Sequence, residues 1–131
     1  MATKLNLLVI RSWDIEAAAR FYGLLGLTFC RHSHGQGPEH FASESSGIVF
    51  EIYPQRDGEP ATSSTRLGFQ VDAVDAMLDQ LVSSGGRLIS APQESPWGRR
   101  AVLEDLDGHR VELLSRKADD VGGEKLNSDS G

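Results

Sequence analysis

A six-residue phrase occurs twice, and its recurrence limits the fold more than any other feature. Gly47-Ile48-Val49-Phe50-Glu51-Ile52 and Gly108-His109-Arg110-Val111-Glu112-Leu113 both read G-x-x-Φ-E-Φ, where Φ is apolar. The offset is 108 − 47 = 61 residues, so a chain of 131 residues holds two copies of one unit and little else. A unit of that size buries only about 60% of its unfolded surface. Each copy therefore needs the other, or a partner chain.

What precedes each phrase agrees with the repeat. Lys4 to Arg11 alternates as a strand, and Asp14 is placed to cap a helix whose Ile15, Ala18, Ala19, Tyr22 and Leu25 share one face. Gly26 stops that helix. Extended segments follow at Leu27 to Ser33, His40 to Ser43 and Ile48 to Tyr53, divided by Gly35-Gln36-Gly37-Pro38 and Ser45-Ser46-Gly47. The second half repeats the order. Arg66 to Val71 reads as a strand, Asp72 as a cap, and Val74, Met77, Leu78, Leu81 and Val82 as the buried stripe of a helix closed by Gly85-Gly86. Strands at Arg87 to Ser90, Arg99 to Glu104 and His109 to Leu114 complete it. The pattern predicts an α+β domain over 4–116 made of two βαβββ modules, 4–54 and 65–116. Their linker, 55–64, carries the turn chemistry of Asp57-Gly58-Glu59-Pro60. The polar residues 117–131 read as a disordered tail. One helix per four strands leaves a sheet face open, so a homodimer is expected.

Composition narrows the partners. Thirteen basic and 19 acidic residues give a net charge of −6 without a Lys/Arg stripe, which argues against nucleic acid. The longest apolar runs, such as Leu7 to Ile10, fall far short of the roughly 20 residues that span a bilayer. No signal-peptide core opens the chain, so no membrane partner is expected and the chain reads as soluble and cytoplasmic. Cys30 is the single cysteine and cannot form an internal disulfide; it reads as a small buried hydrophobe.

These pieces resemble the glyoxalase / bleomycin-resistance / extradiol-dioxygenase family, the vicinal oxygen chelate superfamily. The resemblance rests on Asp14-x-Glu16-x-x-x-x-Phe21-Tyr22-x-x-Leu25-Gly26-Leu27 after the opening strand, and on Phe50-Glu51. In the second half it rests on Leu67-Gly68-Phe69-Gln70-Val71-Asp72 and on Asp105-Leu106-Asp107-Gly108-His109-Arg110-Val111-Glu112-Leu113. It covers Leu5 to Ser115 and implies two βαβββ modules whose sheets form a curved, cup-like surface with the helices outside. In such proteins four inward side chains, on the first and last strand of each module, can hold a divalent metal. Here those positions fall on Leu7, Glu51, Arg66 and Glu112. Both carboxylates are present and both imidazoles are missing, so no metal cofactor is expected; any that bound would use Glu51 and Glu112. Arg66 is expected to pair with Glu112 and supply the positive charge in place of a metal.

Other residues carry open alternatives. His32 and His34 lie two apart on an extended segment and His40 follows one loop later. They read either as partly exposed polar residues of a Gly-rich turn, or as ligand-binding or acid-base groups. Tyr53 shares strand parity with Glu51. Trp97, beside Arg99 and Arg100, packs over its own loop or forms a cavity lip suited to a flat organic anion. The first reading is a protein that binds a small organic ligand with Leu7, His34, His40, Glu51, Tyr53, Arg66, Trp97, Arg100 and Glu112 as pocket candidates. The alternative is a divalent-metal-dependent lyase, isomerase or dioxygenase of the same fold, in which His32, His34 or His40 completes the ligand set. A structural or regulatory module with a collapsed cavity is the third.

Overall fold

The computed structural model describes residues 2–116; the tail expected at 117–131 lies outside the described residues. Alternation along β1 (Leu7–Ser12) turns Leu8, Ile10 and Ser12 to one face, where Ile10 and Ser12 are buried. Asp14 then holds an extended backbone, and its carboxylate accepts the Ala17 N–H at 3.0 Å, which starts α1 (Ile15–Gly23) as the sequence predicts. Gly26, at φ +94, adopts the left-handed conformation that takes the chain out of the helix. β2 (Cys30–His32), β3 (His40–Ser45) and β4 (Ile48–Pro54) finish the first module, in sheet order β1-β4-β3-β2. The second module repeats this with β5 (Arg66–Gln70), α2 (Val74–Ser83), β6 (Arg87–Ser95), β7 (Gly98–Glu104) and β8 (Arg110–Arg116), in order β5-β8-β7-β6. In both, the strand that carries the repeated phrase runs parallel to the opening strand and antiparallel to its other neighbour. The α+β class and the two βαβββ modules are those the repeat predicts.

Four local expectations are corrected. The strand expected at Leu27 to Ser33 is only Cys30–His32, because Leu27 and Phe29 leave the extended path to pack on the core. Cys30 is exposed rather than buried, on the sheet face that no helix covers. Asp72 does not cap α2: Ala73 takes that place without a side-chain bond, and the Asp72 carbonyl accepts the Ser115 hydroxyl. β6 continues through Pro92 to Ser95, which an edge strand tolerates because one side of its backbone needs no partner; its register shifts between Ser90 and Gln93.

The helix-covered faces of the two sheets meet in one core. Ile10, Phe50 and Ile52 from the first sheet join Leu67, Leu103, Val111 and Leu113 from the second, with Phe21 and Tyr22 of α1 and Val74, Leu78 and Leu81 of α2 between them. Phe69 lies 6.2 Å from Phe50 and 5.9 Å from Tyr22, ring centre to ring centre. The uncovered faces therefore turn outward.

A buried polar network crosses this seam. Asp105 accepts the backbone N–H groups of Asp107 and His109, each at 2.9 Å, and the Tyr22 hydroxyl donates to it at 2.5 Å. His109 Nδ1 lies 2.9 Å from the same carboxylate, so this nitrogen carries the proton. Its Nε2 then accepts from the Thr62 hydroxyl of the linker at 2.7 Å. Burial pushes the Asp105 pKa up, but the hydrogen bonds from His109 and Tyr22 outweigh it and hold the carboxyl below its ordinary range. Burial and the neighbouring Asp105 raise the Tyr22 phenol well above its ordinary value.

Candidate functional site

The chemistry sits on the two uncovered faces. Strand parity places Leu7 of β1, Glu51 and Tyr53 of β4, His40 of β3 and His32 of β2 on the first. It places Arg66 of β5, Glu112 of β8 and Arg100 of β7 on the second. Leu7 pairs with Val49, two residues from Glu51, and Arg66 pairs with Arg110, two residues from Glu112. The repeat is thus kept in geometry as well as in sequence. Val9 and Gly68 occupy the rungs directly opposite the two glutamates, and Leu7 and Arg66 stand on the diagonals.

On the second face Glu112 is flanked by two guanidinium groups. Arg100 Nη2 lies 3.0 Å from Glu112 Oε1, and Arg66 Nη2 lies 3.7 Å from the same oxygen. The expected Arg66–Glu112 pair is within reach, but Arg100 is the closer partner and the Arg66 side chain is 52% exposed. Sequence reasoning treated Arg99 and Arg100 together; alternation separates them. Arg99 turns to Asp75 of α2 at 2.5 Å and to Glu94 at 3.1 Å, so that of these two only Arg100 stands on the open face. Trp97 projects from the β6–β7 turn and is 67% exposed.

On the first face the histidines separate by environment. His32 and His34 are exposed, whereas the His40 side chain is 2% exposed, which corrects its reading as a turn residue in water. Its ring stacks on Tyr53 at 4.1 Å and 8°, and Nδ1 lies 3.2 Å from the Pro38 carbonyl. A carbonyl only accepts, so Nδ1 carries a proton, and in the neutral ring Nε2 keeps its lone pair. That nitrogen is buried without a hydrogen-bond partner, 3.8 Å from Glu51 Oε2. No signal in the sequence distinguished His40 from its neighbours, since its burial arises from Tyr53, which is 13 residues further on.

The four positions that would hold a metal do not fit one. Leu7 has no lone pair, Arg66 is a cation beside Glu112, and among the described residues no three His, Cys, Asp or Glu side chains converge on a point that could hold an ion. A separate groove of about 610 Å³ lies where the modules meet, lined by Leu8, Ile48, Phe50, Leu67 and Phe69 with Arg66 at its margin. Of the nine pocket candidates from the sequence, only Arg66 lines it.

A paired βαβββ architecture with a glutamate closing each module defines a class of proteins, and comparison with known proteins gives the family. Residues 4–113 match the model of the Glyoxalase/Bleomycin resistance protein/Dioxygenase superfamily, and the chain belongs to it. An uncharacterized protein of Mycolicibacterium smegmatis is 24% identical over 112 residues, covering 86% of this chain and 93% of that protein. Among solved structures, a glyoxalase-related enzyme from Fulvimarina pelagi superposes with a TM-score of 0.70 at 25% identity, over 88% of this chain and 89% of that one. TnmS3, an antibiotic binding protein from Streptomyces sp. CB03234, gives 0.70 at 23% identity, over 88% and 98%.

Proposed function

We propose that this protein binds a small organic ligand on its uncovered sheet faces, without the divalent-metal site usual in its superfamily, and that it does so as a homodimer. The observation that carries the reading is the set Leu7, Glu51, Arg66 and Glu112 in matching register, with Leu7 and the Arg66 guanidinium where a metal would need imidazole. The antibiotic-binding function of TnmS3, a protein of the same fold, supports it. Dimerisation is supported by the outward-facing open faces and by β1 and β5, each at the edge of its sheet with a backbone row unpaired by any strand. A second copy lying across them would close over the polar residues. Trp97 and Tyr53 supply aromatic contact in this reading, and His34 stands at the rim.

Equilibrium dialysis against a panel of aromatic acids and polycyclic antibiotics tests this. Saturable binding that weakens in Arg100→Ala is the expected result; no binding of any member at millimolar concentration counts against it.

One observation favours a second reading. His40 Nε2 beside Glu51 is a nitrogen donor displaced from the usual position, and a divalent-metal-dependent lyase, isomerase or dioxygenase would use it.

A further inference from the structure

Glu51 and Glu112 hold the same place in the repeated phrase, yet their electrostatic surroundings differ. Glu112 has Arg100 and Arg66 on one oxygen. Glu51 is 21% exposed and, among the described residues, pairs with no arginine or lysine; His40 stands 3.8 Å from it. Arg11, on the same face, is drawn off to Glu59 at 3.0 Å and the Pro54 carbonyl at 3.1 Å. A mostly buried carboxylate without a counter-ion is costly, as is a buried acceptor without a donor. Here the two stand together: the Glu51 carboxylate and the orphaned Nε2 of His40. With the imidazole neutral both are acceptors, and one nitrogen bearing two hydrogens can donate to both across 3.8 Å. Beside them Ala42 separates Glu51 from Cys30 across the sheet, and the Tyr53 ring stacks on His40.

We infer that Glu51 and His40 are a receptor for a cationic N–H donor, the ammonium or amidinium head of a small organic ligand. This rests on the reading of the uncovered faces as ligand-binding surfaces, and it specifies the charge the first face selects. The carboxylate supplies the counter-charge and a charge-assisted hydrogen bond. The imidazole supplies the second acceptor, held in its tautomer by Pro38. The face of Tyr53 turned away from His40 is the π surface left for the cation and its attached ring. His32 and His34, with ring centres 5.9 and 5.4 Å from His40, cover the imidazole and must shift for the head group to reach it.

The test is histidine-detected NMR on the full chain, titrated in parallel with benzamidine, benzoate and benzyl alcohol, which share a ring and differ in head group. Benzamidine is expected to shift His40 Nε2 saturably, with the two controls causing no shift there. Glu51→Gln keeps the shape and removes the charge at a partly exposed position, and is expected to weaken benzamidine by at least about tenfold. His40→Gln, checked for folding by circular dichroism, is expected to weaken it as well. No His40 response to benzamidine, an equal response to benzoate, or unchanged affinity in Glu51→Gln would overturn the inference. Micromolar Zn2+ binding that shifts His40 Nε2 and displaces benzamidine would overturn it too, in favour of a metal site. If benzoate binds through Arg100 while benzamidine leaves His40 unmoved, this inference fails and the small-ligand reading stands.

Discussion

Arg66 reaches Glu112 at 3.7 Å with half of its side chain in water, whereas Arg100 reaches the same oxygen at 3.0 Å and is 30% exposed. Solvent screening decides the ranking. A double-mutant cycle between Arg66 and Glu112 should give a coupling below about 1 kcal/mol. The Arg100–Glu112 cycle should give the larger value; the reverse order in urea titrations would contradict this geometry. Tyr22 presents the opposite case, a hydroxyl donating to a buried carboxylate at 2.5 Å. Tyr22→Phe should cost about 1.5–3 kcal/mol, since hydrogen bonds to charged groups exceed neutral ones. It should also change the response to acid. Folding lowers the Asp105 pKa, so its stabilisation is present above the unfolded carboxylate range and is lost as pH falls through the folded value. Removing one of the donors that lower it should move the acid-unfolding midpoint to higher pH, measurable by circular dichroism.

Two glycines show how far backbone demands differ between elements. Gly98 opens β7 at φ +138, and a Cβ there would stand 2.1 Å from the Ser115 carbonyl oxygen of β8. Gly98→Ala should destabilise by more than about 2 kcal/mol, because strand pairing must give way or the clash remains. Gly23 ends α1 with nothing within 4 Å of the same added atom, and Gly23→Ala should stabilise by about 0.5–1 kcal/mol. Thermal melts of the two variants check both signs.

The elements themselves were largely legible in the sequence, for identifiable reasons. Capping by Asp14 and the stop at Gly26 are local, as is alternation in β4 and β8. Legibility failed where tertiary contacts decide. Val82 falls on the apolar stripe of α2 in the sequence yet is 39% exposed, while Phe21, off the apolar face of α1, is 2% exposed in the core between the modules. The candidate site follows the same division. Glu51 and Glu112 were visible from the repeat, but the burial of His40 depends on stacking with Tyr53, and the divergence of Arg99 from Arg100 depends on Asp75 of α2.

At the scale of the whole molecule, two outward-facing sheets and the edge strands β1 and β5 leave surface that a second copy would cover. Sedimentation equilibrium at micromolar concentration should give a dimer, and a monomer there would count against the proposed assembly. The central claim concerns what occupies the uncovered faces, and it turns on Leu7 and Arg66 standing where imidazoles would be. Its most direct measurement is elemental analysis of tag-free protein purified without chelator, alongside Glu51→Gln and Glu112→Gln. The account predicts well under one equivalent of Zn, Ni, Fe or Mn per chain, unchanged by either substitution. One equivalent that is lost when Glu51 and Glu112 are replaced would contradict it.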